Sequence, residues 1–503
     1  MKKFKGIVLP GVVLFLCIAF AACDNILTTS PEDAISSTEF FQNEGQVEQA
    51  VIGAYSKLQD MYGNQWKFSE LRSDNTIVQY NVGNFGPHPI WLIDEFTMTS
   101  TNTNIEPYWG DVYQGIQKCN AVLNNIDRAG FETDGLKEQL TAEVKFLRAF
   151  YYFHLVRLFG GVPLVLDQVE SPSQAFDVIG SRADAQAVYD QIIQDASDAA
   201  QVLPQSYSGE NNGRATEGAA RTLLAEVYLT QGEYASARTE LESVMQLGYE
   251  LVDNYEDIFD PANKYHEEYI FDVSYAELES NRELGNNLIY QFAPHNSGSA
   301  VTGDNGGTPQ GLNIPTRDIL NAYEQDDLRK DASIGYYVDP GNTEFGIAIG
   351  DTILYVNKYA SDHSVLGRTN DNIPVYRYAH VILMMAEVIN EIEGPTSEAY
   401  GYIDEVRQRA GLDPLTAGLS KADFRDAVYH EQRVELAFEN HRWYNLLRQG
   451  RAMEVMQQHA PDVKDIQPHF TEPVYIIEEY KLLYPIPERE RTLNADLAQN
   501  PGW

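Results

Sequence analysis

The chain has 503 residues, with 36 basic and 74 acidic side chains, a formal net charge of −38 and a pI near 4.5. So negative a surface repels phosphate backbones, which argues against a nucleic-acid partner. A hydrophobic share of 43% is too high for a disordered chain, and the length suits two to four modest domains or one large unit. The 31 Tyr, 21 Phe and 5 Trp are enough rings to fill a core and still stack on sugars or peptides at a surface.

Met1-Lys2-Lys3-Phe4-Lys5 is a basic start, followed by an apolar run from Gly6 to Ala22 that only Pro10 breaks. The run is shorter than the roughly 20 residues of a spanning helix, so residues 1–22 are expected to be a secretory signal. It ends Phe20-Ala21-Ala22-Cys23, which resembles a bacterial lipobox. There Cys23 would be diacylated and become the new N-terminus; the alternative is plain cleavage beside an incidental Cys23. The other cysteines are Cys17, lost with the signal, and Cys119, so no internal disulfide is expected. Loss of Lys2, Lys3 and Lys5 makes the mature chain three charges more negative. An acidic body resists an anionic membrane, which favours one standing off on a lipid tether.

Residues 23–44 are expected to be a lipid-anchored polar leader. From Gln46, Val47, Ala50, Val51, Ala54, Tyr55 and Leu58 fall at helical spacing. Residues 60–106, rich in Asn, Gly, Thr and Pro, are expected to be loop-like and carry Trp66 and Trp91. Helix resumes at Trp109, and a long helix is predicted over about 137–159, ended by Gly160-Gly161 and Pro163. Further helices are predicted at about 183–202, 216–231, 234–247, 375–392, 396–410, 421–439 and 441–458. Residues 251–371 form an irregular insert, with short β-like runs at Tyr269–Val273 and Thr352–Tyr355. A stretch that long and irregular inside a helical protein points to function. Residues 45–503 therefore make one body: helical repeats over about 45–250 and 372–460, the insert, and an extended C-terminal segment, 461–503.

Leu224-Ala225-Glu226-Val227-Tyr228-Leu229-Thr230-Gln231-Gly232-Glu233-Tyr234-Ala235-Ser236-Ala237 looks like the middle of a tetratricopeptide repeat, with an ordinary helical hairpin as the alternative. Ala225 is small where two helices would cross, and Gly232 would end the first. The fold class expected is mainly α, with tetratricopeptide-like hairpins forming a curved scaffold and short β elements in the insert.

Six motifs, in order, resemble those of SusD/RagB-like nutrient-uptake lipoproteins. They are Trp109-x-x-x-Tyr113-x-x-Ile116-x-x-x-Asn120; Glu143-x-Lys145-Phe146-Leu147-Arg148-Ala149-x-x-Tyr152 running into Leu158-Phe159-Gly160-Gly161-Val162-Pro163-Leu164; Tyr376-Arg377-Tyr378-Ala379 through Leu383-Met384-Met385-Ala386-Glu387, where His380 replaces a family Glu; Val406-Arg407-x-Arg409-Ala410-Gly411-Leu412; Glu435-Leu436-Ala437-Phe438-Glu439-x-x-Arg442; and Leu483-Tyr484-Pro485-Ile486-Pro487 through Asn500-Pro501-Gly502-Trp503. The resemblance implies four tetratricopeptide-like hairpins with a large insert. It also implies a surface lipoprotein of the outer membrane that lids a SusC-like, TonB-dependent β-barrel transporter and delivers an oligosaccharide, or in RagB-like members a peptide, without catalysis. A helical-repeat adaptor whose only partner is protein is the further alternative. Arg148, Arg377 and Glu387 are read as ion-paired ties between helices, and Phe146, Leu147, Tyr152 and Leu155 as core.

Catalytic and metal chemistry has little support. His430-Glu431-Gln432-Arg433-Val434 starts like a zinc-protease helix, but Val434 stands where the second His is required. Asp304-Asn305-Gly306-Gly307 lacks the spaced oxygens of a calcium loop. No cofactor or metal is expected. A sugar site needs flat rings and planar polar groups. Trp66, Tyr80, Phe85 and Trp91 lie in the polar loop, where Glu70-Leu71-Arg72-Ser73-Asp74-Asn75 resembles a family block. Family members draw their ligand site from this loop and the insert. The candidates are thus Trp91 and Trp66 as stacking platforms, Asp74 as hydroxyl acceptor, Arg72 as donor, and Tyr290, Tyr336 and Tyr337 from the insert. The two loop Trp favour an oligosaccharide over a peptide.

Overall fold

The computed structural model describes residues 40–503 apart from 80–88, 279, 282–283, 296, 304–306, 339–351 and 467–474. Cys23, Tyr80, Phe85 and the signal and most of the leader therefore lie outside the described residues. Helix α1 spans Glu44–Ser69, α2 Pro89–Asp94, α3 Ile105–Asn125, α4 Leu136–Phe159, α5 Ala185–Ala200, α6 Glu217–Thr230 and α7 Tyr234–Met245. In the insert lies the short α8, Leu288–Phe292. After it come α9 Tyr378–Glu393, α10 Ser397–Arg409, α11 Lys421–Glu435, α12 Arg442–Arg448 and α13 Ala452–Ile466. Among the described residues no helix is long and apolar enough to cross a membrane.

Neighbours along the chain pack on each other: α1 on α3, α3 on α4, α4 on α5, α5 on α6, α6 on α7, then α7 on α9 and α9 on α10 and α11. That serial packing is the curved scaffold expected of stacked hairpins. The starts are set by side-chain caps: Thr216, Thr396 and Ser420 accept the amide N–H three residues on, satisfying an otherwise orphan donor. Helix α4 stops where Gly160 takes φ +70°, a conformation a side chain would resist. Phe146, Leu147, Tyr152 and Leu155 are fully buried, as core.

The family motifs meet in space. Asn120 accepts from Arg148 Nη1 at 2.9 Å and donates to the Val165 carbonyl, while Arg148 holds Asp195 through Nε and Nη2. The C-terminal segment returns to the end of α4: Tyr484 N–H donates to the Leu158 carbonyl at 2.7 Å, and Asn500 Nδ2 donates to the Phe159 and Tyr484 carbonyls.

Three two-stranded antiparallel sheets interrupt the helices. β1 (Thr76–Ile77) pairs with β3 (Ile314–Pro315), β2 (Tyr269–Val273) with β6 (Ile373–Arg377), and β4 (Ile334–Val338) with β5 (Thr352–Val356). A buried ion network locks the insert to the scaffold. Arg377 reaches Glu268, Glu435 and Glu439; Arg409 holds Glu268 and Glu435; Arg329 holds Asp327, Glu431 and Glu435; Lys358 holds Glu439. Each charge there is compensated in place, which such deep burial requires. The expected ties thus exist: Arg377 here, Arg148 on Asp195, and Glu387 on Arg448. Glu431 of the protease-like pentapeptide is one of the network's carboxylates.

Several boundaries differ from the sequence reading. Residues 60–69 are helix, because Met61, Tyr62, Gln65, Trp66 and Ser69 continue the buried stripe of α1. Residues 375–377 are strand, with β6 running straight into α9. The helix expected to 439 stops at Glu435, since Phe438 and Asn440 take left-handed backbone. The helix expected over 441–458 breaks at Gly450, with φ +67°.

Candidate functional site

The sequence candidates separate into buried braces and a junction. Asp74 is 2% exposed and accepts from Arg442 Nε at 2.7 Å and Nη2 at 2.8 Å, with Arg433 Nη2 at 2.9 Å. Burial raises the cost of its charge, but Arg433 and Arg442 outweigh that and hold the carboxyl below the usual range. Its oxygens are committed, so the expectation of a hydroxyl acceptor gives way to a brace between the segment after α1 and α12. Arg72 is fully buried; its guanidinium lies 4.2 Å from the Phe96 ring and 4.3 Å from the Tyr484 ring and donates to the Lys481 carbonyl. That place between two rings removes it as an exposed donor. Trp66 is 2% exposed, edge-on to Phe292 at 5.3 Å, with its Nε1 donating to the Gly63 carbonyl. So deeply buried a ring offers no platform.

Trp91 differs: on α2 it stays half-buried against the main core. Asp94 fastens that helix, accepting from the Val78 amide at 3.0 Å and the Tyr475 hydroxyl at 2.7 Å. Burial pushes its pKa up to about 8. The strip after β1 is thus held between α2 and the insert. On the insert side Gln79 N–H donates to the Gly311 carbonyl at 2.7 Å, and Gln79 Oε1 accepts from the His295 amide at 2.8 Å.

Tyr290, on α8, belongs to the same junction. Its carbonyl accepts from Gln310 N–H, and Gly311 N–H donates to the Ala293 carbonyl. Its hydroxyl lies 2.6 Å from His363 Nε2, and its ring packs in a small cluster with Tyr355 beside it. Tyr290 is 6% exposed, so its ring is largely enclosed. Tyr336 does not join it. In the β4–β5 pair Tyr336 stands opposite Leu354 and Gly335 opposite Tyr355, and alternate residues point to opposite faces. Tyr336 is 45% exposed, its hydroxyl turned towards Asp331. Tyr337, half-buried, packs against a second cluster containing Ile353.

Hydrogen bonds thus tie Gln79 to His295 and Gly311, and Tyr290 to His363 and Gln310, with Asn313 two residues beyond Gly311 and Trp91 on the helix that Asp94 fastens to Val78. Gln79 Nε2 and both amide atoms of Asn313 are buried and have no hydrogen-bond partner among the described residues. Buried amides without partners are rare, and planar amides are the groups that read hydroxyls or peptide bonds. Sequence reasoning missed Gln79, Asn313, His295 and His363. The local signal was that Gln79 lies within the expected polar loop, 60–106. Among the described residues no group of three His, Cys, Asp or Glu could hold a metal ion.

The SusD family model matches residues 334–503, and a second, described as starch-binding associating with outer membrane, matches residues 27–229. The chain belongs to the SusD/RagB-like family. SusD-like protein P25 of Formosa agariphila is 28% identical, over 99% of this chain and 98% of that protein. A solved laminarin-binding SusD-like protein is 26% identical with a TM-score of 0.75, covering 92% of this chain and all of that one. Surface glycan-binding protein A of Bacteroides thetaiotaomicron, solved with laminarihexaose, shares the fold at 23% identity and a TM-score of 0.73, over 91% of this chain and 100% of that chain. The SusD-like motifs are those whose residues pair in the fold: Asn120 with Arg148, Arg377 with Glu435 and Glu439, and Leu158 with Tyr484.

Proposed function

We propose that this chain is a non-catalytic nutrient-binding lipoprotein of the outer-membrane surface, anchored through Cys23. It captures a neutral oligosaccharide and passes it to a SusC-like TonB-dependent transporter that it covers as a lid. The supporting observation is the junction between α2 and the insert, which carries half-buried Trp91, enclosed Tyr290 and the buried amides of Gln79 and Asn313, which have no partner among the described residues. A flat ring beside planar amides suits a pyranose, whose ring faces are apolar and whose edges carry hydroxyls. The laminarin-binding neighbour and the starch-binding description of one family model support the same ligand class, and that description also supports the membrane. The strong negative charge disfavours polyanionic glycans.

The test is a screen of residues 24–503 against neutral glycans, acidic glycans and peptides, with Trp91→Ala and Gln79→Ala alongside. Binding to one neutral class, lost in both variants, is expected. Binding to peptides alone would replace the glycan reading with the peptide one. The transporter half is tested by co-purification of the lipidated protein with its β-barrel; isolation without one would overturn it.

A further inference from the structure

A second concave site lies apart from the junction. Its floor is β2, one wall is the 205–216 segment, and the other is the turn after α7. Tyr207, Tyr249, Tyr265 and Tyr269 line this cleft of about 270 Å³. A neighbouring cleft of about the same size continues it along α1, past Tyr55 and Gln59. The two share Asn212, Gly213, Arg214 and Asp272, so they form one furrow. Tyr55 sits 14 residues before Ser69, about 20 Å along α1 at 1.5 Å per residue. The furrow therefore lies at the middle of that helix, away from the end that leads to the strip holding Gln79.

Two features mark the furrow as built for a ligand. Tyr265 takes φ +59°, a conformation a bulky side chain adopts only when its surroundings force it, and such strain clusters at functional sites. The strained backbone sets the Tyr265 ring against Gly213, itself at φ +87°, where an added Cβ would come within 3.2 Å of the ring. The ring remains 39% exposed. The other is that Arg214 donates through Nε to Glu143 and through Nη1 to Asn211, while its buried Nη2 has no partner among the described residues. A buried donor left this way is costly unless something satisfies it.

The charges select the ligand class. Glu143 already neutralises Arg214, and Glu210, Glu267 and Asp272 also line the furrow. An anion would meet several carboxylates and one spent guanidinium. A neutral polyol would meet tyrosine rings and hydroxyls and the Arg214 donor. Asp272, buried and committed to Ser274 and Asn372 at 3.1 and 2.6 Å, braces the floor.

We infer that this furrow is a second saccharide subsite, which seats a neutral sugar unit against Tyr265 with Arg214 Nη2 as a hydroxyl donor. The inference rests on the glycan reading but places its contacts away from the junction. A two-site surface would hold a long chain by two weak grips, raising avidity without new chemistry.

Hydrogen exchange resolves the two sites. The soluble 24–503 protein is given millimolar laminarihexaose, maltohexaose or, as the anionic control, an oligogalacturonate. Exchange is followed separately in 205–216 with 264–274, and in 287–295 with 307–315. The variant is Tyr265→Gly, which removes the ring and relaxes the left-handed backbone, so the fold is retained. A neutral hexaose is expected to slow exchange several-fold in both regions of the wild type, and in Tyr265→Gly at the insert only. Slowing at the furrow alone supports the subsite and overturns the junction. Slowing at the insert alone overturns the subsite and leaves the proposed function standing. Slowing nowhere, with either hexaose, overturns both. Slowing at the furrow by oligogalacturonate alone overturns the neutral-sugar assignment.

Discussion

Arg442 grips Asp74 with two parallel hydrogen bonds, Nε to Oδ1 at 2.7 Å and Nη2 to Oδ2 at 2.8 Å, although 368 residues separate them. The pair joins the segment after α1 to α12, and Arg433 of α11 closes the third side. This bidentate geometry makes a strong, directional tie.

Asp74→Ala leaves two buried guanidinium groups short of a partner. The expected cost is about 3–5 kcal/mol of stability, read as a lowered midpoint in urea unfolding. Glycan affinity per folded molecule should stay within a factor of a few. An affinity loss with unchanged stability would return Asp74 to the binding site.

The two loop tryptophans should behave as opposites. Trp66→Ala opens a cavity against Phe292 and should cost about 3–5 kcal/mol with little change in ligand affinity at low temperature. Trp91 is only half-buried on the core, so Trp91→Ala should lower the unfolding midpoint less than Trp66→Ala does and remove most glycan binding. Calorimetry on both variants checks this in one experiment.

His154 lies between Tyr62 and Phe150, with both ring nitrogens buried and without a hydrogen-bond partner among the described residues. Burial drives its pKa well below the ordinary value, and burial likewise lowers His380 and lowers His441 to about 4. A histidine depressed in the folded state binds its proton more readily when unfolded. Stability is therefore full above the unfolded value near 6.5 and falls as pH drops from there towards 4. His154→Phe should flatten that slope and raise stability at pH 5. Urea titrations at several pH values measure it.

Asp94 has the opposite sign. Burial lifts its folded pKa to about 8, against roughly 4 when unfolded. The folded state holds the extra proton, so stability at the junction declines as pH rises from about 4 to 8. Hydrogen exchange in 76–79 and 89–95, corrected for intrinsic rates, should show faster opening at pH 8.5 than at pH 6. Asp94→Asn should remove the difference.

Where β6 meets α9 beside the insert, Arg377→Met strands Glu435 and Glu439 beside the remaining cations. The expected result is loss of about 3–5 kcal/mol and early proteolysis of the insert. Limited proteolysis of the variant reads this directly.

The helical spacing of apolar residues, the glycine and proline stops and the repeat hairpin were legible in the sequence, because they depend on neighbours three or four residues away. So α4 falls at Leu136–Phe159 against an expected 137–159, and the Gly232 hairpin separates α6 from α7. The family motifs were legible for a related reason: each is one half of a pair whose chemistry demands particular residue types, such as Arg148 for Asp195. What sequence could not decide was which polar loop residues point inwards. Trp66 and Arg72 looked like exposed binding groups because their neighbours in the chain are polar. Their burial comes from Phe292, Phe96 and Tyr484, which only the fold brings to them. Likewise Gln79, His295 and Asn313 have no shared local pattern. They become a candidate site because β1 pairs with β3 across more than two hundred residues, and strand pairing carries no mark in the sequence of either partner alone.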